Sequence, residues 1–197
     1  MLNIKVILGS TRPGRFGIQP AEWITQLGQK YGDSATFELI DLKEVDLPIL
    51  DVPVPPSLVP SNQNSHQEAW AKIIGEADGF VFVTAEYNHG LPAAFKNAVD
   101  FVAHEWAHKP VAFVSYGADA GGLRAIEQWR QVVSWLKMYD LSYFVHLPNY
   151  FAGLDESGKF KFDESHEEKA NSMLDELVFW AGEMKTARAK LAEGTPE

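Results

Sequence analysis

The sequence predicts a doubly wound α/β sandwich, a five-stranded parallel sheet of order 2-1-3-4-5 with helices on both faces. Short apolar runs rich in branched residues, such as Ile4, Val6, Ile7 and Leu8, recur along the chain, and nearly continuous runs of this kind suit strands buried on both faces. Stretches with apolar residues at three- and four-residue spacing separate them, so strands alternate with helices and the crossovers must be right-handed. The first run enters a glycine-bearing loop that opens a helix. That places a ligand site beyond the carboxyl ends of strands 1 and 3, where the winding reverses.

A helix over 17–31 follows from Ile18, Ala21, Ile24 and Leu27, with Gly32-Asp33 to stop it. Residues 36–41 read as the second strand, Phe37 and Leu39 sharing one face. The connection over 47–60 carries Pro48, Pro53, Pro55, Pro56 and Pro60, so it reads as an ordered, irregular surface loop, a pocket rim or a subunit contact. Its Ile49, Leu50, Val52, Val54, Leu58 and Val59 are too apolar for a linker. A second helix is expected from a Ser65 cap through Ala69, Trp70, Ile73, Ile74 and Ala77, then a third strand at 79–84. Pro92 suits a first helical position and gives a helix over 92–104. The fourth strand is 111–115, and Ala125, Ile126, Trp129, Val132, Val133 and Leu136 mark an amphipathic helix with Trp129 in the core. Residues 141–147 supply the last strand. Past a turn at Asp155-Glu156-Ser157-Gly158, the spacing of Ala170, Met173, Leu174, Leu177, Val178, Ala181 and Met184 gives a closing helix. There is no internal repeat, and residues 1–197 are expected to form one domain.

Net charge is −10 without a lysine-rich block, which argues against a nucleic-acid or anionic-membrane partner. No apolar stretch approaches the roughly 20 residues needed to span a bilayer. The first residues run into strand-like sequence without a charged-then-apolar signal, so a soluble, cytoplasmic protein is expected. With no cysteine, disulfides, thiolate nucleophiles and cysteine-ligated metals are excluded. Redox chemistry then needs a bound organic cofactor or a metal held by other ligands.

The first loop, Gly9-Ser10-Thr11-Arg12-Pro13-Gly14-Arg15-Phe16-Gly17, has the chemistry of a phosphate cradle. Backbone N–H groups and the positive end of the next helix face an anion, Ser10 and Thr11 add hydroxyls, and Arg12 and Arg15 add guanidinium forks. No carboxylate lies between Lys5 and Glu22 to oppose it. The Walker pattern fails because Arg15 and Phe16 stand where lysine and a hydroxyl are needed; the dinucleotide pattern fails because Arg12 replaces its first glycine. A terminal monophosphate fits best, with an ordinary Pro13-Gly14 turn as the plain alternative.

Two further loops should meet this one: Ala85 to Pro92 after strand 3 and Ser115 to Gly122 after strand 4. They offer small residues, exposed amides and aromatic faces, Tyr87 and Tyr116 being placed to cover the face or edge of a flat heterocycle. FMN meets this demand better than a triphosphate. At these residues the chain resembles the NADPH-dependent FMN reductase family, flavodoxin-like proteins that include quinone, chromate and azo-dye reductases, over about residues 2–145. The motifs are Gly9-Ser10-Thr11-Arg12 with Arg15, Glu86-Tyr87-Asn88 before Lys96-Asn97-Ala98, and Ser115-Tyr116-Gly117 with Gly121-Gly122. Ala85 stands for the family's usual proline and Phe95 for its usual leucine.

The resemblance implies that Ser10, Arg12, Arg15, Phe16 and Gly17 bind the phosphate. It also implies that Glu86, Tyr87 and Asn88 line the ring, and that Ser115 and Gly117 approach its other edge. It implies a cycle in which NADPH or NADH reduces bound FMN and a small-molecule acceptor, whether quinone, flavin, azo compound or metal ion, removes the electrons. No side chain is assigned as catalytic, since the flavin itself carries that chemistry. The rival reading is a flavodoxin-type FMN carrier acting through protein partners. Glu86 is expected to accept backbone hydrogen bonds or pair with a cation such as Lys96, and His89 to be a solvated turn residue. The histidines at 104 and 108 lack the context of a metal motif. The 47–60 loop and the 101–106 stretch are expected to stay exposed near the flavin side. With the family's habit of pairing, this suggests a homodimer or homotetramer.

Overall fold

The computed structural model describes residues 1–194. Its sheet has the order β2-β1-β3-β4-β5, all parallel, formed by β1 (Leu2–Leu8), β2 (Ala35–Asp41), β3 (Gly79–Ala85), β4 (Pro110–Tyr116) and β5 (Tyr139–Leu147). The helices are α1 (Ile18–Gly28), α2 (Leu42–Val45), α3 (Ser65–Gly75), α4 (Ala93–Asp100), α5 (Leu123–Trp135) and α6 (Glu164–Gly194). This is the expected flavodoxin-like three-layer sandwich.

Alternation along the strands divides the core in two. Ile4, Val6, Leu8, Val81, Val83, Ala112 and Val114 face α1 and α6, whose Ala21, Ile24, Met173, Leu174 and Leu177 pack on them. Ile7, Phe80, Phe82, Val111 and Phe113 face the other way, onto Trp70, Phe95, Trp106 and Trp129 from the α3, α4 and α5 side. All seven residues of β3 and all seven of β4 are buried, which is why these strands read as unbroken apolar runs. In register, Leu8 lies opposite Asp41 on one side and Val83 on the other, so β1 and β2 finish level at their carboxyl ends and β3 runs two residues further, to Ala85.

Some expectations on local structure are corrected. The cap of α3 is Asn64, whose side chain accepts the Gln67 N–H, while Ser65 is already helical. Helix α4 stops at Asp100 and does not continue to 104. Its last carbonyls are taken by side chains: Trp70 Nε1 donates to Ala98 O at 2.7 Å, Trp106 Nε1 to Val99 O at 3.1 Å and Gln67 Nε2 to Phe101 O at 2.8 Å. A helix whose end is satisfied this way gains nothing by adding a turn. Phe101, Val102 and Trp106 are therefore fully buried in the α3/α4 core, not exposed beside the ligand loops. The short α2 was not foreseen; Asp41 caps it by accepting the Lys43 N–H, and Asp46 ends it at φ 51°. Trp129 is in the core as expected, its Nε1 donating to Thr84 Oγ1 at 3.0 Å. No described helix is long and apolar enough to cross a membrane.

Candidate functional site

The three loops do converge at the carboxyl ends of the strands. Gly9 N–H donates to Val83 O at 3.0 Å, Glu86 N–H to Tyr116 O at 3.1 Å, and the Ser10 and Tyr87 hydroxyls lie 2.6 Å apart. Ser10 is wholly buried and Tyr87 more than a third exposed, so the first loop sits beneath a tyrosine lid edge.

The first loop turns at Gly14, with φ 65°, and closes with Arg15 N–H on Arg12 O at 3.2 Å. Among the described residues, the backbone N–H groups of Thr11, Arg12, Gly14, Phe16 and Gly17 donate to no protein acceptor. They lie at or just before the start of α1, where the helix dipole favours negative charge. Arg12 is exposed and makes no ion pair among the described residues. Arg15 does pair, with Asp41 at the end of β2, although its Nε is buried without a partner. The expectation of a carboxylate-free loop holds along the chain and fails in space, because β1 and β2 are neighbours and their ends are level.

Glycine is required at position 9 for a packing reason. A Cβ there would fall 1.9 Å from the Phe95 ring, so the α4 phenylalanine fills the space that a side chain would take. Gly17 likewise faces the Tyr116 hydroxyl, 2.4 Å from where its Cβ would stand. Tyr116 is thus under the loop: it is 3 % exposed, packs edge-on against Phe16 at 5.2 Å and Tyr150 at 5.6 Å, and its hydroxyl has no partner. Burial pushes its pKa upward, so it stays a neutral donor. The expectation that Tyr116 covers a ring is corrected, since that role needs an exposed ring. Phe16 is buried too, stacked on Tyr150 at 4.1 Å, leaving its backbone N–H as the group it offers the loop.

After β3, Tyr87 and Gly90 exchange both backbone hydrogen bonds at 2.9 Å, with Asn88 at φ 50° and His89 at φ 65° between them. Two positive φ values in a two-residue hairpin are the type I′ geometry. Ala85, in place of proline, leaves this turn closed. Glu86 accepts a backbone hydrogen bond and pairs with a cation as expected, at 3.1 Å from the Arg124 N–H and 2.7 Å from its Nη1; the cation is Arg124, because Lys96 pairs with Asp100. Gln128 holds the hairpin from α5, donating to His89 O at 3.0 Å and accepting the Leu91 N–H at 3.2 Å. His89 itself is exposed. After β4, Ser115 Oγ donates to Gly121 O at 2.7 Å, and Gly121 and Gly122 hold φ 58° and 90°. A Cβ on Gly122 would stand 2.6 Å from that of Ser115, so the loop can fold back over Ser115 and Gly117 only with glycine there.

Beside Thr11 a cleft of about 570 Å³ runs between residues 42–49 and α4, walled by Leu42, Leu47, Ile49, Ala94 and Ala98. Asn97 holds its outer wall, accepting the Leu50 N–H at 2.8 Å and donating to Pro48 O at 2.7 Å. Asn97 stands in the Lys96-Asn97-Ala98 motif, whereas nothing in the motifs pointed to Arg124, Gln128 or Asp41. Of these three, only Arg124 and Gln128 carried a signal, as polar residues four apart beside an apolar stripe.

The donor set fits a monophosphate-bearing flavin: unspent amides, two hydroxyls, one unpaired guanidinium and a buried unpartnered phenol under the same loop. The model of the NADPH-dependent FMN reductase family matches residues 2–152. An NAD(P)H-dependent FMN reductase of Schizosaccharomyces pombe is 40 % identical over 137 residues, 69 % of this chain and 68 % of that protein. A quinone reductase of Escherichia coli K12 is 30 % identical over 141 residues, 68 % of this chain and 71 % of that one. Among solved structures, the flavoenzyme NAD(P)H:(acceptor) oxidoreductase FerB of Paracoccus denitrificans superposes with TM-score 0.70 at 19 % identity, covering 93 % of this chain and 99 % of that one. A Streptococcus flavodoxin gives 0.55 at 13 % identity, covering 89 % and 97 %, which supports the fold alone. On the match over residues 2–152, the chain belongs to the NADPH-dependent FMN reductase family.

Proposed function

We propose that the protein is an FMN-dependent NAD(P)H oxidoreductase that delivers electrons to a small acceptor: a quinone, free flavin, azo compound or oxidised metal ion. When bound, FMN supplies the two-electron chemistry, taking hydride from reduced nicotinamide and giving electrons up again. The chain's own residues bind, orient and shield. The observation that carries this reading is the unspent donor set of the first loop, five N–H groups without acceptors beside an unpaired Arg12.

In this reading Ser10, Thr11, Arg12 and the N–H groups of Phe16 and Gly17 hold the phosphate. Arg15 shares its charge between that phosphate and Asp41. Glu86, Tyr87 and Asn88 line the ring, Ser115 and Gly117 approach its other edge, and Tyr116 supports the phosphate loop from below. The apolar cleft beside Thr11 suits the flat acceptor or the nicotinamide. The whole chain works as one domain in the cytoplasm, where reduced nicotinamide is supplied, and as a homodimer or homotetramer. What supports assembly is the exposure of Ile49 and Leu58, at 87 % and 73 %, on the loop that walls the cleft. A protein-docking carrier is not favoured, because the matched family and the relatives are reductases.

The test is a fluorescence-quenching titration with FMN, FAD and riboflavin, followed by anaerobic addition of NADPH or NADH. FMN should bind tightest and its absorbance should bleach. An acceptor should then restore the colour, with parallel double-reciprocal plots, since one site serves donor and acceptor in turn. Equal affinity for riboflavin would remove the phosphate loop from the site, and failure of both nicotinamides to bleach the flavin would overturn the reductase.

A further inference from the structure

Helix α5 carries two side chains, four residues apart, that grip the loop after β3 at both ends. Arg124 holds Glu86, as described, and Gln128 donates Nε2–H to His89 O at 3.0 Å while its Oε1 accepts the Leu91 N–H at 3.2 Å. Between these anchors stands the hairpin tip, where Asn88 and His89 both hold left-handed backbone at φ 50° and 65°. That conformation is strained for a residue with a side chain, most readily tolerated by asparagine and less so by bulkier groups. The two hydrogen bonds inside the turn close it without fixing its tilt against the first loop. The planar amide of Gln128 supplies that second reference: one donor and one acceptor that meet the outward C=O and N–H of residues 89 and 91 as an adjacent strand would. Tyr87, on the same hairpin, touches the Ser10 hydroxyl at 2.6 Å, so any tilt is transmitted to the phosphate loop.

We infer that Gln128 is the positioning residue that sets the Tyr87–Gly90 hairpin at the angle FMN binding requires, acting through His89 and Leu91 without touching the flavin. This rests on the FMN reading above. Gln128→Ala removes both contacts. Gln128→Glu keeps the acceptor for Leu91 but, when ionised, sets an oxygen against the His89 carbonyl; when protonated, its carboxylic acid again offers a donor and an acceptor. The probe is FMN itself, titrated into the apoprotein of each variant at about pH 4 and about pH 8, below and well above the roughly 4.3 at which an exposed glutamate titrates. Each affinity is taken as a ratio to the wild type at the same pH, so that ionisation of the phosphate cancels.

Gln128→Ala should bind FMN about tenfold more weakly at both pH values, the worth of two ordinary hydrogen bonds, with a melting temperature like that of other surface substitutions. Gln128→Glu should be as weak as the alanine variant at the higher pH and approach the wild type at the lower. Amide hydrogen exchange at Leu91 in the apoprotein should be faster in Gln128→Ala. Wild-type affinity in Gln128→Ala, or a Gln128→Glu ratio that does not change with pH, would overturn the inference. If the wild type itself does not bind FMN, the functional reading fails; the clamp then falls separately if Leu91 exchange is unchanged in Gln128→Ala.

Discussion

Arg12 and Arg15 look equivalent in the sequence, but the fold spends one of them. Asp41, 26 residues from Arg15 in the chain, takes its charge at the edge of the sheet, and Arg12 is left free. Arg12→Ala should therefore weaken FMN binding by about 1.5–3 kcal/mol, the range for hydrogen bonds to charged groups, and Arg15→Ala by less, as read by fluorescence quenching. Gly9 makes a steric prediction. Gly9→Ala sets a methyl group 1.9 Å from the Phe95 ring and should destabilise by about 1–3 kcal/mol, with loss of flavin. Gly9→Ala with Phe95→Leu should recover part of that in denaturant unfolding, because the smaller leucine vacates the contact. Lys109 makes a prediction about pH. It is buried, donating to Ile74 O at 2.7 Å and Gly75 O at 3.0 Å at the end of α3, and desolvation lowers its pKa to about 8. A base whose folded pKa lies below its unfolded value costs stability while charged in both states, so its contribution improves as pH rises from about 8 towards the ordinary lysine value of 10.5. Tyr31 and Tyr116 act in the opposite sense above pH 10, since their folded pKa values are raised and the unfolded phenols ionise first. Urea unfolding between these limits should show a rise that Lys109→Met abolishes.

At the scale of elements, what was legible is what burial on both faces writes into the residues. The strands and the five main helices follow from their apolar spacing, and the three loops follow from the order of those elements. What was not legible depends on contacts distant in sequence. The end of α4 is set by Trp70 and Gln67, donated from α3, and α2 is too short to show a period. Tyr116 reads as a ring cover because its loop is at the site, yet the strand's alternation turns its side chain under Gly17. The segment after β5 had no assigned role; it packs behind the phosphate loop. Phe160 meets Phe16 edge-on at 5.5 Å, and Gln19 at the start of α1 donates to Gly158 O at 2.8 Å and accepts Phe160 N–H at 2.7 Å. This is the same two-point amide pairing that Gln128 makes. Phe160→Ala should therefore weaken FMN binding several-fold although it lies outside the region the family model matches, and calorimetry of apoprotein and holoprotein should show the larger loss in the holoprotein. Equal losses in both would make Phe160 a stability residue only.

At the scale of the whole molecule, the two faces of the sheet are closed by different means, and that decides where a second copy can sit. On one face α6 is tied to the amino-terminal edge of the sheet by Asp78, which takes Lys185 and Arg188 at 2.7 Å each. On the other face Phe101, Val102 and Trp106 are consumed by the core, so a charge at Trp106 tests folding and says nothing of assembly. The 47–60 loop is what remains. It is pinned to α4 by Asn97, leaves Ile49 and Leu58 at 87 % and 73 % exposure, and walls the cleft beside the phosphate loop. An ordered apolar loop held outward at a ligand cleft is best satisfied by a twofold partner, which would bury it and complete the cleft at once. Sedimentation should then give a mass well above the 22.0 kDa chain. Ile49→Asp should lower that mass and raise the KM for the acceptor, with the unfolding midpoint of the isolated chain unchanged because the residue touches no core. A wild type that sediments as a monomer at micromolar concentration while yellow and active would remove the partner from the site, and the loop would then be the rim of a pocket that one chain closes alone.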